Sequence, residues 1–298
     1  MDKLFDFGLT ADLLKYDFTQ NALLAAAVLG LVAGVLGPLV VMRKMSFAVH
    51  GTSELAFTGG AAALLLGFGV GYGALAGAVV AAVLLGLLAQ RDSERDSVIG
   101  AVLAFGLGMG VLLLSLYNGR AANKFGLLTG QIVGVQSADL WLLIGCTLAV
   151  LVVLAVIYRP LLFASVDPDV AVARGVPLRV LTPVFAVLTG VATALSVQIV
   201  GALLVLALMI TPAAAACRVT SSPLRATVLA VVFAEVSAMG GIVLSLAPGI
   251  PVSAFVTAIS FAIYLACRVL GGARVRRIGD RRAVTAPGAS EAPVPAGR

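Results

Sequence analysis

The chain is poor in the groups from which most enzyme active sites are built. It has one histidine, one tryptophan and three cysteines in 298 residues, and only 11% of its residues are charged. A lone histidine cannot supply the multi-histidine metal centres that membrane enzymes generally use, and no nucleophile with an adjacent base is evident. Cys146, Cys217 and Cys267 lie far apart, each in an apolar run and without C-x-x-C spacing, so they give no sign of a disulfide framework or a metal cluster. The phosphate-cradling loop G-x-x-x-x-G-K-[ST] is missing too. None of the four lysines follows a glycine, and the chain cannot hydrolyse ATP by that machinery. The opening MDKLFDFGLTADLLKYDFTQ carries four aspartates and lacks a basic start with a small-residue cleavage site, so it does not read as a cleaved signal peptide.

What the chain has in abundance is apolar length. It is 61% hydrophobic with a mean hydropathy of +1.11, and apolar runs long enough to cross roughly 30 Å of hydrocarbon as helices recur along it. A transmembrane barrel would need short alternating segments instead. The expected class is an all-α polytopic membrane protein. The net charge of +6 sits mostly in loops and after Gly272, which fits orientation in a membrane rather than binding of nucleic acid.

Residues 1–20 read as an amphipathic segment at the interface or a loosely held terminus. Residues 21–270 form the membrane domain, and 271–298 a basic, then Pro/Ala-rich, disordered cytoplasmic tail. Inside the domain the runs begin near Asn21, Ser46, Ala74, Val98, Leu140, Leu178, Ile199, Ala226 and Val252. The runs meeting near Gln198 are weakly separated, so eight to nine transmembrane helices are expected. With the C-terminus inside, nine spans place Arg43/Lys44, Arg91/Arg95, Arg159/Arg174/Arg179 and Arg218/Arg225 on the cytoplasmic side, against Arg120/Lys124 and Lys3/Lys15 outside. RDSERDS, from Arg91 to Ser97, reads as a solvated loop, and FGLLTGQIVGV, from Phe125, as a short interfacial or re-entrant element.

Against that apolar background four features stand out. His50 and Glu54 lie in MSFAVHGTSELAFTGG, where each ionisable group costs roughly 2.5 to 3.5 kcal/mol to insert, and a spacing of four puts them on one helix face about 6 Å apart along the axis. Imidazole with carboxylate suggests a metal ion or a proton. A mostly opposite row, Thr52, Ala56 and Gly60, is small enough for close helix packing and leaves the His50 face free. Glu235 is a second intramembrane carboxylate, suited to a path, a proton relay or packing with Ser237 or another helix. DPDVAVARGVP, from Asp167, reads as a short helix with Asp167 as N-cap, Pro168 in the first turn and Gly175 after the last, a docking element or a structured surface loop. Thr211 and Pro212 should kink a helix or mark its broken end.

Three segments in order, RKMSFAVHGTSELAFTGG, DPDVAVARGVP and VGALLVLALMITPAAAA, resemble the permease subunit of the metal-ion ABC importers that handle zinc, manganese and iron. The resemblance spans about Asn21 to Leu270 and implies a type II ABC importer-like permease in the bacterial cytoplasmic membrane. It implies a homodimer beside separate ABC ATPase subunits, with an extracytoplasmic metal-binding protein delivering the ion and no permanently bound cofactor. In that family the first segment commonly carries an aspartate and a histidine four residues apart, associated with the metal path. His50 and Glu54 keep the spacing, but the order is reversed and the acid is longer. The second segment resembles the coupling helix that docks on the ATPase, which assigns Asp167, Asp169, Arg174 and Gly175 to that contact. The third resembles a late-helix LLxTPAA-type motif, carried here by Thr211 and Pro212 in a structural role. Two copies would offer two imidazoles and two carboxylates, a set that leans toward zinc, with manganese or a metal chelate as the alternative cargo. A proton-coupled secondary transporter using Glu54 and Glu235 is the competing class, and the short capped element argues against it.

Overall fold

The computed structural model describes residues 12–88, 95–119, 127, 137–246 and 251–285, and every regular element among them is helical. In chain order these are α1 (Asp17–Met42), α2 (Ser46–Leu66), α3 (Val70–Leu88), α4 (Arg95–Leu116), α5 (Ser137–Val166), α6 (Pro168–Ala173) and α7 (Leu178–Val200). A 3-10 turn (Ala202–Leu204) leads to α8 (Val205–Met209), α9 (Thr211–Val219), α10 (Pro223–Leu246) and α11 (Val252–Thr285). The last helix continues past Gly271. Most of RDSERDS and of FGLLTGQIVGV lies outside the described residues.

Six helices among the described residues are long and apolar enough to cross a membrane: Asp17–Met42, Asp96–Leu116, Leu140–Val166, Leu178–Val197, Pro223–Leu246 and Val252–Gly271. The chain is a multi-pass membrane protein. By length and composition alone six helices qualify, which leaves the expected eight to nine crossings unconfirmed, and Val70–Leu85 and Val205–Val219 are shorter apolar helices. Helix α2 has 21 residues, enough for roughly 31 Å at 1.5 Å per residue, but His50, Glu54 and its hydroxyl residues lower its hydropathy. The boundary expected near Gln198 falls at Gly201 instead, where φ of 87° and ψ of 155° end α7. Only glycine adopts that conformation readily, and a polar side chain such as Gln198 does not by itself stop a helix.

Helix α2 is the buried centre of the first half, and the packing around it depends on absent side chains. A Cβ at Gly59 would run into the Gly73 carbonyl, and one at Gly77 into the Leu55 carbonyl, so α3 lies antiparallel to α2 in backbone contact. Helix α4 runs parallel on another side, with Gly106 against Glu54 and Gly110 against the Phe57 ring. Small residues at such seams are how membrane helices gain van der Waals contact where lipid offers no hydrophobic drive. The row expected to pack does pack: Thr52, Ala56 and Gly60 are all buried, with Gly190 of α7 next to Thr52 and Leu127 next to Gly60. Helices α1 and α10 are antiparallel, Gly34 meeting the Val231 backbone and Gly30 the Glu235 carboxyl group.

Three helices end in the same closed turn. The N–H groups of Met45, Phe68 and Val176 donate to the carbonyls of Val40, Ala63 and Ala171, each spanning five residues back. The left-handed residue is glycine in two of them, Gly67 and Gly175, and Lys44 with φ of 55° in the third. A side chain there costs about 1 to 2 kcal/mol. Lys44→Gly is therefore expected to stabilise the folded protein by roughly 1 kcal/mol, seen as a higher melting temperature in detergent. An unchanged or lower melting temperature would mean the lysine makes a compensating contact.

Candidate functional site

Within α2 the hydroxyl groups turn inward on their own backbone. Thr52 Oγ1 donates to the Ala48 carbonyl at 2.9 Å and Ser53 Oγ to the His50 carbonyl at 2.7 Å. Thr58 Oγ1 lies 2.9 Å from the Glu54 carbonyl and 2.6 Å from that of Gly106, tying α2 to α4. This leaves the two ionisable side chains little company. His50 is half-buried, and its Nδ1 lies 3.5 Å from Ser53 Oγ, at the limit of a hydrogen bond. Glu54 is only 3% exposed, and its Oε2 has no hydrogen-bond partner among the described residues. A packing role through Thr58 does not use the carboxylate, since Thr58 bonds the Glu54 backbone.

The two residues share a face of α2, where His50 is half-buried and Glu54 buried. Over Glu54 it is covered by α4, because Gly106 has no side chain to hold the helices apart; a methyl group there would lie 3.0 Å from the Glu54 carbonyl carbon and 3.1 Å from its Cβ. A buried carboxylate oxygen without a donor is costly when ionised, and a bound cation is one way to satisfy it. One chain offers only this imidazole and this carboxylate: no group of three or more His, Cys, Asp or Glu occurs among the described residues.

Glu235 stands elsewhere, on the seam between α1 and α10. Its carboxyl group fills the space left by Gly30, and its Oε2 also lacks a partner among the described residues. Of the two packing partners expected, it meets another helix rather than Ser237, whose Oγ donates to the Phe233 carbonyl at 2.7 Å. Thr211 and Pro212 open α9 directly after α8, where Gly37 of α1 makes room for the Met209 carbonyl.

The six-residue α6 joins α5 to α7. Asp167 Oδ1 accepts the Val170 N–H at 3.0 Å and Pro168 occupies the first turn, while the closed turn at Gly175 finishes the helix. Ala171 is fully buried and anchors it. Asp167, Asp169, Arg174 and Gly175 are exposed, together with Val170 at 43% and Val172 at 57%. The sequence signal for these valines is two β-branched apolar residues in a segment too short to span the membrane. Arg43, expected only as an orienting charge, has specific partners. In the structure Arg43 Nη2 donates to Thr182 Oγ1 of α7 at 3.1 Å, and its guanidinium lies 5.4 Å from the centre of the buried Phe185 ring.

The model of the ABC 3 transport family matches residues 15–270. The chain belongs to that family. Among its relatives, the manganese transport system membrane protein MntC of Listeria monocytogenes is 31% identical over 258 residues, covering 85% of this chain and 92% of the relative. MntC of Halalkalibacterium halodurans is 30% identical over 234 residues, covering 78% and 80%. Among solved structures, PsaBC from Streptococcus pneumoniae in complex with Fab superposes with a TM-score of 0.79 at 26% identity, covering 87% of this chain and 94% of that one. A metal-chelate type ABC transporter in an inward-facing conformation shares the fold at 15% identity, with a TM-score of 0.66.

The named relatives are manganese systems, so the expectation of zinc finds no support among them, while the manganese alternative does. An imidazole with a carboxylate does not by itself separate zinc from manganese.

Proposed function

We propose that this member of the ABC 3 transport family is the membrane permease of an importer for a divalent first-row metal ion, manganese foremost, driven by a separate ATPase chain. The observation that carries the reading is the buried carboxylate of Glu54, one turn from His50, whose Oε2 has no hydrogen-bond partner among the described residues. Two copies meeting across a two-fold axis would bring two such half-sites to one ion, neutralising its charge with two carboxylates. An extracytoplasmic binding protein would deliver the ion. Glu235 is left out of the path, since its carboxyl group lies against Gly30 on the α1–α10 seam.

The topology that fits this role has nine crossings, with α8 and α9 together counting as one and the C-terminus in the cytoplasm. The Arg43–Thr182 bond supports it by setting the α1–α2 turn on the same side as α6. So does the contact of Gly271 with the Arg218 carbonyl, which brings the end of α9 beside α11. Cationic residues then collect on that side, as orientation in a cell membrane requires.

On that side α6 is proposed to dock on the ATPase through Val170 and Val172, with Asp169 and Arg174 beside them. Val172→Glu puts a charge into that contact and is expected to lower the amount of ATPase that co-purifies with the permease by about tenfold or more, while the permease still reaches the membrane. Retention of the ATPase at the wild-type level would move the docking surface elsewhere.

The function is tested in vesicles containing the permease with its ATPase and binding protein. Manganese accumulation that requires ATP supports the importer. Accumulation without ATP, driven by a pH gradient, would instead support a secondary carrier.

A further inference from the structure

We infer that Arg43 is a positioning residue that couples α6 to the metal-bearing helix α2, an inference that rests on the permease reading above. An arginine that only orients a span needs nothing but water and headgroups around it. Arg43 has a more specific setting. Its guanidinium bonds a side-chain hydroxyl 139 residues away in sequence, at 3.1 Å, and stands over the ring of Phe185, which is fully buried. Both partners are on the first two turns of α7.

The connections on either side of this contact have little slack. Between α6 and α7 lie only Arg174 to Pro177, and that turn is closed by bonds from Gly175 N–H to the Val172 carbonyl, Val176 N–H to Ala171 and Leu178 N–H to Val176, all between 2.9 and 3.0 Å. Between α1 and α2 lie only Arg43 to Met45. There Met45 N–H bonds the Val40 carbonyl at 2.9 Å and Val49 N–H bonds that of Met45 at 3.1 Å, so α2 begins at once. A displacement of α6 therefore moves the start of α7, and the Arg43 side chain is the cross-brace that carries it to the α1–α2 turn. His50 follows one turn into α2.

Planarity and the fixed fork of donors suit arginine to this double contact, and lysine can reproduce the hydrogen bond but not the flat stacking. By linkage, a brace that transmits motion from the ATPase side also transmits the effect of the metal back to it.

The test uses the whole transporter, permease with ATPase and binding protein, in proteoliposomes. The readouts are manganese taken up per ATP hydrolysed, stimulation of hydrolysis by the loaded binding protein, melting temperature and co-purified ATPase. Arg43→Ala is expected to lower uptake per ATP by about tenfold and to abolish the stimulation, with the ATPase still bound. Thr182→Val should move the same two readouts in the same direction by less, Thr182→Ser should leave them at wild type, and Arg43→Lys should fall between. If Arg43→Ala does not reach the membrane, Thr182→Val carries the test alone. The inference is overturned if uptake per ATP stays at the wild-type ratio in Arg43→Ala or Thr182→Val. It is equally overturned if uptake and hydrolysis fall in proportion as folded protein is lost, which is what a merely structural contact would do. Failure of the wild type itself to use ATP would count against the permease reading instead.

Discussion

Glu54→Gln and His50→Ala are each expected to reduce ATP-driven manganese uptake to background while the permease remains in the membrane with its ATPase. Glutamine keeps the size of glutamate, so the packing under Gly106 survives, but it removes the negative charge and replaces one acceptor oxygen with a donor group. Removing one partner from a buried charged contact costs about 3 to 5 kcal/mol, or more than a hundredfold in affinity, and in a symmetric pair each substitution is made twice. His50→Ala removes the only imidazole the chain has. The family pattern supplies a rescue. His50→Asp combined with Glu54→His takes the order that the resemblance to the metal-ion permeases implies, keeps one carboxylate and one imidazole four residues apart, and should retain uptake. Uptake at the wild-type rate in either single variant would remove these residues from the path.

The second large effect is on folding rather than transport. A side chain at Gly59 has nowhere to go: its Cβ would meet the Gly73 carbonyl, with the Gly77 nitrogen at 2.9 Å, and both obstacles are backbone that no rotamer change can move. Gly59→Leu should therefore force α2 and α3 apart, costing about 3 kcal/mol or more, and appear as loss of folded protein in the membrane. Gly108 is the control, because a Cβ there meets nothing within 4 Å. Gly108→Ala should be neutral, or stabilising by about 0.5 to 1 kcal/mol through helix propensity. A Gly59→Leu protein that melts with the wild type would contradict the packing described for the first half of the chain.

How much of this could be read from the sequence depends on how local each signal is. The ends of α6 were legible because its caps involve neighbours only: Asp167 with Val170, Pro168 in the first turn, Gly175 in the left-handed position. The helical class was legible from apolar length. The pair on α2 was visible because ionisable groups are conspicuous in a long apolar run. Less local features were missed. The break at Gly201 rather than Gln198 depends on a backbone angle, and the cover over Glu54 depends on α4 bringing Gly106 to it. The spacing of small residues in GLGMG, Gly106 to Gly110, was the available hint. Arg43 looked like one more orienting charge because its partners, Thr182 and Phe185, are more than a hundred residues away. Zinc was not separable from manganese by donor type, since two imidazoles and two carboxylates suit either ion, and the relatives named are manganese systems.

The central claim is that α2 carries half of a metal site in a permease driven by ATP. Its most direct test is uptake of radioactive manganese by proteoliposomes holding the permease, its ATPase and its binding protein, with wild type and Glu54→Gln side by side. The expected result is accumulation by the wild type only when ATP is inside with the ATPase, and background for Glu54→Gln despite equal amounts of assembled complex. Equal accumulation by the two proteins, or accumulation driven by a pH gradient without ATP, would contradict it.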